Sequence, residues 1–317
     1  MTATPPDNPA TPPDNPDTPP ENSTTPPDNP DTPTNLTHQT TTPTNTDPHP
    51  TDVTPHPPEL LHHLTHNIRW ITLNRPSSLN ALAPRNRDAL IALLHDSSAD
   101  PAVRAVVLTG SGRAFCAGAD LRDSSATGPL PPGHVGRMIR RGAQPLISAV
   151  LDCEKPVIAA VNGTAAGIGA HLALACDLIL AAETADFIEI FVRRGLVPDG
   201  GGAHLLTRIV GPARARELLF FGDRLPAREA ERLGLINRAV PPGELEPLAR
   251  AWAGRLAQGP TRTLALTKEL VRTALDDDLA ASFRAEAVAQ ELNMTTRDAA
   301  EGIAAFAERR EPRFEGR

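Results

Sequence analysis

Two glycine-bearing segments have the composition to hold an anion with backbone groups. The first runs Val106-Val107-Leu108-Thr109-Gly110 into Ala114-Phe115-Cys116-Ala117-Gly118-Ala119-Asp120-Leu121. The second runs from Val157 to Val161 into Asn162-Gly163-Thr164-Ala165-Ala166-Gly167-Ile168-Gly169-Ala170-His171. Each reads as a buried strand, a turn of small residues and a following helix. Small residues let a ligand approach the main chain closely, and a helix start leaves N–H groups without internal partners. Such groups suit an anion or a developing oxyanion. Taken alone, either segment is equally compatible with tight packing. Gly167-Ile168-Gly169 lacks the third glycine and the ribose-binding acid of a dinucleotide fingerprint, and no Gly-Lys-Ser/Thr ending marks a phosphate loop.

The elements around these segments alternate. Asn67 to Leu73 reads as a strand, stopped by Asn74-Arg75-Pro76. Pro84 opens a helix whose apolar face includes Leu90, Ile91, Leu93 and Leu94. Val103 to Leu108, Val157 to Val161 and Asp177 to Ala182 read as buried strands. Gly128 to Gly133 reads as a surface loop, and a helix is expected to break or start near Pro145. Beyond Gly200 the spacing of apolar residues is helical. Strands alternating with helices, then a helical second half, describe an α/β core with an α-helical extension.

Composition separates a tail from a body. Residues 1–59 hold no Lys or Arg and carry nine of the 38 acidic residues, and all 31 basic residues follow. The tail repeats a seven-residue unit, Thr4-Pro5-Pro6-Asp7-Asn8-Pro9-Ala10 and its relatives, with no apolar seam, which predicts extended, disordered chain rather than a coiled coil. The body is nearly neutral, which argues against a nucleic-acid or anionic-membrane surface. Cys116, Cys153 and Cys176 show neither disulfide nor metal spacing. The N-terminus offers no apolar signal core, and no apolar run reaches bilayer length; the expectation is a cytoplasmic protein. His62-His63-Leu64-Thr65-His66 lacks a supporting acid or cysteine and is read as structural, with no metal site expected.

Taken in order, several motifs resemble the crotonase (enoyl-CoA hydratase/isomerase) family. They are Asn74-Arg75-Pro76 with Asn80-Ala81-Leu82, Ala114 to Leu121, Lys155-Pro156 through Asn162-Gly163, Cys176-Asp177, Gly195 to Gly202, and Asp298 to Gly302 with Ala305-Phe306. The resemblance covers about residues 66 to 314. It implies an α/β fold, a spiral of ββα repeats with a C-terminal α-helical trimerisation region. Residues 60–317 would form the domain, about 60–255 the spiral core and about 256–317 the helical region. It implies an acyl-CoA substrate, no separate cofactor, and a homo-oligomer (a trimer or a dimer of trimers). By position, the Ala119 and Ile168 N–H groups would form the oxyanion hole for the thioester oxygen. Ala117, Gly118, Asp120, Leu121, Gly167 and Phe191 would lie against the substrate. From the C-terminal segment, contributed across a subunit boundary, Phe306 would flank the adenine and Arg309 a phosphate of coenzyme A.

The chain departs from the family's hydratases. Where those carry two water-activating glutamates, this chain has His171 and Phe191. Asp199, in Pro198-Asp199-Gly200-Gly201, stands where related isomerases place a catalytic aspartate, including those acting on ring-epoxide phenylacetyl-CoA. The resemblance thus implies isomerisation with Asp199 as proton shuttle, and His171 as an auxiliary acid/base or a polar wall. Asp199 is also read as a possible helix N-cap. Glu189 is read as structural, its register pointing away from the pocket. Two alternatives stay open: a hydratase using Asp199 and His171, and a non-catalytic acyl-CoA- or RNA-binding relative.

Overall fold

A computed structural model describes residues 58–121 and 131–317. The expected tail, up to residue 57, and residues 128–130 of the expected Pro/Gly loop lie outside the described residues. The chain opens with β1 (Leu60–Thr65), β2 (Ile68–Leu73), α1 (Pro84–Ala99), β3 (Ala105–Gly110) and β4 (Ala114–Cys116). Next come α2 (His134–Arg141), α3 (Ala143–Leu151), β5 (Val157–Val161), β6 (Thr164–Ala166) and α4 (Ile168–Leu174). The middle of the chain holds β7 (Leu178–Ala182), β8 (Asp186–Ile188), α5 (Gly202–Phe221), β9 (Arg224–Pro226), α6 (Ala227–Arg232) and β10 (Arg238–Val240). Four helices complete it: α7 (Pro242–Gln258), α8 (Thr261–Thr273), α9 (Leu279–Asn293) and α10 (Arg297–Glu308).

Two sheets form, in the orders β1-β2-β3-β5-β7-β10 and β4-β6-β8-β9. Successive strand pairs β3/β4, β5/β6 and β7/β8 each place one strand in either sheet, which is the repeating turn of an α/β spiral. From β2 to β10 the large sheet is parallel. Its central strands are buried on both faces, which explains their unbroken apolar runs. Val157, Ala159 and Val161 face one core with α1, α3 and α4, while Ile158 and Ala160 face a second. That second core is closed by α7, whose Leu245, Ala249, Ala253 and Ala257 recur every four residues.

Three expectations are corrected. Strand β1 precedes the expected start at His66; it pairs antiparallel with β2 at the sheet edge, from Leu60 opposite Leu73 to Thr65 opposite Ile68. The helical stretch before β5 divides at Gly142, not Pro145, which sits in the first turn of α3, where its missing N–H costs no hydrogen bond. In both glycine segments a short second strand, β4 or β6, intervenes, and within the described residues only the second runs into a helix. Among the described residues no helix is long and apolar enough to cross a membrane.

Candidate active site

The segment before α1 fastens the first glycine loop. Leu79 and Asn80 adopt left-handed conformations (φ 52 and 57), which asparagine tolerates well. The Asn80 carboxamide is fully used: Oδ1 accepts from the Arg75 N–H at 2.8 Å, and Nδ2 donates to the Ser111 and Ala114 carbonyls at 2.9 and 2.7 Å. Leu82 then brackets Ala119. Its N–H donates to the Gly118 carbonyl at 2.8 Å and its carbonyl accepts from the Asp120 N–H at 3.0 Å. These bonds flank Ala119 in a parallel bridge, so the Ala119 N–H turns away from Leu82. The Asp120 carboxylate is bound by the Arg75 guanidinium at 2.9 Å, and the same guanidinium donates to the Ala81 carbonyl at 2.6 Å. With its side chain only 5 % exposed, Asp120 is turned into the loop and not toward open space. Arg75 is thus a positioning residue that the sequence reading passed over.

The second loop nests against the first. Gly167 has φ 54 and ψ −128, a conformation that disfavours any side chain, and it caps α4 so that the Ile168 N–H opens the helix without an internal acceptor. A Cβ placed on Gly169 would stand 2.2 Å from the Cys116 carbonyl oxygen. One on Gly118 would stand 3.0 Å from the Ala166 oxygen and 3.9 Å from the Ile168 nitrogen. Glycine at both positions is therefore a steric requirement of bringing Gly118-Ala119 beside Ile168.

His171, Glu189, Phe191 and Asp199 gather around α4. His171 is fully buried, its Nε2 lies 2.8 Å from Glu189 Oε2, and Phe191 stacks on its ring with centroids 5.3 Å apart and planes within 9°. A Cβ on Gly202 would meet His171 Cε1 and Nε2 at 2.1 Å, so the first residue of α5 rests on the imidazole edge. Gly200 presses on Ile168 as closely, a Cβ there standing 2.2 Å from Cδ1. Asp199 is thereby set beside the second loop. Its carboxyl is half-buried and makes no hydrogen bond among the described residues; burial pushes it above its ordinary value, and the charge of His171 pulls it back. Asp199 is not a helix cap: Gly201 holds that position in α5, without a side-chain bond. Glu189, read as structural, is buried within the fold. It points inward and is 6 % exposed, on the same side as Phe187 two residues before it.

The remaining candidates lie elsewhere. Leu121 is 53 % exposed beside the undescribed segment. Phe306 is 88 % exposed, and Arg309 ends α10 in a left-handed conformation (φ 57). Cavities of about 780 and 760 Å³ adjoin the last residues of the chain, the first of them also Arg104. The histidines of β1 are structural: His63 stacks with Trp70. Among the described residues no cluster of His, Cys, Asp and Glu could hold a metal ion. All three cysteines are buried and unpaired, and burial pushes the Cys116 thiol up to about 12, which removes it as a nucleophile.

Comparison with known proteins agrees with this arrangement. The enoyl-CoA hydratase/isomerase family matches residues 63–317. A Rhodobacter capsulatus protein named "Probable enoyl-CoA hydratase" is 43 % identical over 256 residues, covering 81 % of this chain and 97 % of the relative. The 1,2-epoxyphenylacetyl-CoA isomerase of Escherichia coli K12 is 38 % identical over 257 residues, covering 80 % and 97 %. The solved enoyl-CoA hydratase of Bacillus anthracis superposes with a TM-score of 0.77 at 33 % identity, covering 82 % of this chain and all of that one. The spiral of strand pairs, the two nested glycine loops and the matches across nearly the whole described chain converge on one conclusion: the protein belongs to the enoyl-CoA hydratase/isomerase family.

Proposed function

We propose that the protein isomerises an acyl-CoA thioester, with Asp199 carrying the proton. The observation that carries the reading is a half-buried carboxyl without a hydrogen-bond partner among the described residues, set by Gly200 beside Ile168, in a chain that has an aromatic ring, Phe191, at a hydratase's glutamate position. For a 3-enoyl thioester the steps balance without a further reactant. The Asp199 carboxylate removes the proton from the carbon alpha to the carbonyl, and the electron pair spreads into a dienolate whose charge rests on the thioester oxygen. The Ala119 and Ile168 N–H groups donate to that oxygen, each such donor contributing about 3 kcal/mol to the transition state. The protonated carboxyl then delivers its proton at the gamma carbon, and the double bond has moved into conjugation. A single acid/base group suffices, and no cofactor takes part beyond the coenzyme A carried by the substrate.

Water addition is the competing reading, favoured by the hydratase name of the Rhodobacter relative and by an imidazole, His171, at the other glutamate position. Phe191 weighs against it, because a benzyl side chain neither orients water nor exchanges a proton. An assembled state is proposed too. Val271, Leu275, Leu279 and Phe283 are 69, 69, 67 and 59 % exposed on and beside α8 and α9, an apolar surface suited to further copies of the chain. The isomerase reading is tested with Asp199→Asn: thioester binding persists and turnover drops at least 100-fold, the lower end of what a positioned acid/base group contributes. Activity within a few-fold of wild type rejects it.

A further inference from the structure

Of the 31 basic residues of this chain only Lys155 and Lys268 are lysines. The two are placed differently. Lys268 Nζ donates to Asp177 Oδ2 at 2.9 Å and to the Val150 carbonyl at 3.0 Å, so its charge is answered. Lys155 stands just before β5, at the end of that strand away from Asn162 and the second glycine loop. It is nine-tenths buried, yet its ammonium makes no hydrogen bond or ion pair among the described residues. It lines the cavity of about 780 Å³ beside the end of α1 and the last residues of the chain. Most other charged groups of that wall are taken. Arg104 donates to the Thr261 hydroxyl and to the Gly259 and Phe314 carbonyls. Glu154 accepts from Arg262 at 2.8 Å, and Glu315 accepts from Arg317 at 2.8 Å. His95, the remaining titratable group of the wall, is exposed. The cavity thus presents one amine without a paired carboxylate.

A buried ammonium without a partner is costly, and the cost falls on the charged form. Burial pushes Lys155 below the ordinary lysine value, and the charge of Glu154 pulls it back. A desolvated amine of this kind is a nucleophile. We propose that Lys155 is an acylation site, whose amine takes the acyl group of a coenzyme A thioester that enters the cavity. The step needs no further reactant. The neutral amine nitrogen attacks the thioester carbonyl carbon, the carbon–sulfur bond breaks, and the thiolate leaves with the proton that the nitrogen gives up. The products are an amide and free coenzyme A. Ala99, Pro101 and Val103 give the cavity an apolar side on which an acyl chain can rest. Lys268, tied to a carboxylate and a carbonyl, has no such freedom. The inference does not need the isomerase reading; it needs only that the chain meet acyl thioesters, as its family implies.

Peptide mass spectrometry on the full-length protein tests this. Wild type is incubated with acetyl-CoA and, separately, with butyryl-CoA at mildly alkaline pH, then cut at arginine, and the peptides bearing Lys155 and Lys268 are followed in time. A parallel sample in urea reports both lysines in unfolded chain. In folded protein the Lys155 peptide gains one acyl group while the Lys268 peptide stays unmodified; in urea both gain it. Lys268→Arg keeps the modification and Lys155→Arg loses it. The comparison of two lysines within wild type decides the matter even where Lys155→Arg folds poorly. A Lys155 peptide that stays unmodified in folded protein but is acylated in urea overturns the proposal. So does acylation of both lysines at the same rate in folded protein. Asp199→Asn acquires the acyl group as wild type does, so failure of the isomerase reading leaves this result standing, and the reverse holds as well.

Discussion

Gly169→Ala perturbs the contact that sets the two glycine loops together. The added Cβ would lie 2.2 Å from the Cys116 carbonyl oxygen, 2.8 Å from the Cys116 Cβ and 2.8 Å from its carbonyl carbon. Ordinary contact begins near 3.4 Å, so the loops must part by roughly 1 Å, and backbone on both sides leaves no side chain to swing aside. Cys116 precedes Ala119 by three residues and Gly169 follows Ile168 directly, so the displacement falls on both N–H groups proposed as oxyanion donors. A 1 Å misplacement of such groups costs about 100-fold in rate. Overpacking costs about 1–3 kcal/mol in stability as well. The control is Gly254→Ala on α7, where an added Cβ meets nothing within 4 Å. That change stabilises by about 0.5–1 kcal/mol, as alanine does over glycine within a helix. Stopped assays of thioester conversion with thermal melts read both quantities. If Gly169→Ala keeps kcat within about five-fold of wild type, well short of the 100-fold expectation, then the nested loops are not the site of the developing charge.

Further expectations follow from the same geometry. Asp199 must be ionised to act as a base, so kcat/KM falls as pH drops through its raised value, and the acid limb lies above the ordinary 3.8; a limb at or below that value contradicts the burial argument. Because the folded state favours the protonated acid, the stability it contributes is complete below the unfolded value and is lost as pH rises through the folded one. Asp199→Asn therefore melts higher than wild type at neutral pH, and the gap closes near about pH 4, which paired melting curves check. Arg75→Ala leaves the Asp120 carboxylate without the guanidinium that holds it and costs about 3 kcal/mol of stability in urea titrations, with kcat reduced as Ala119 loosens.

Much of the scaffold was legible because burial on both faces writes itself as continuous apolar sequence. Val157-Ile158-Ala159-Ala160-Val161 gave its strand and its limits together. Strand β1 was illegible for the opposite reason. It is an edge strand with four of its six side chains exposed, held by backbone bonds to β2, and its Leu-Leu-His-His-Leu-Thr carries no alternation. At the site, resemblance marked Ala119, Ile168, His171, Phe191 and Asp199, and the fold brings these together. It did not mark their supports. Glu189 bonds to His171 eighteen residues earlier and Arg75 to Asp120 forty-five residues later, and nothing local announces either pair. One signal was present. A lone acid in Phe187-Ile188-Glu189-Ile190-Phe191, sharing strand parity with a buried phenylalanine, has to find a partner inside.

Proton transfer without water addition is the centre of the account, and the product's mass reads it directly. Purified protein is incubated with paired 2-enoyl and 3-enoyl thioesters of coenzyme A, and with a ring-epoxide arylacetyl thioester, in deuterated water, and the products are analysed by mass spectrometry. The account predicts rearranged thioesters of unchanged elemental composition, with at most deuterium picked up from a carboxyl that exchanges between its two proton transfers. Accumulation of hydroxyacyl thioesters, heavier by one molecule of deuterated water, would contradict it.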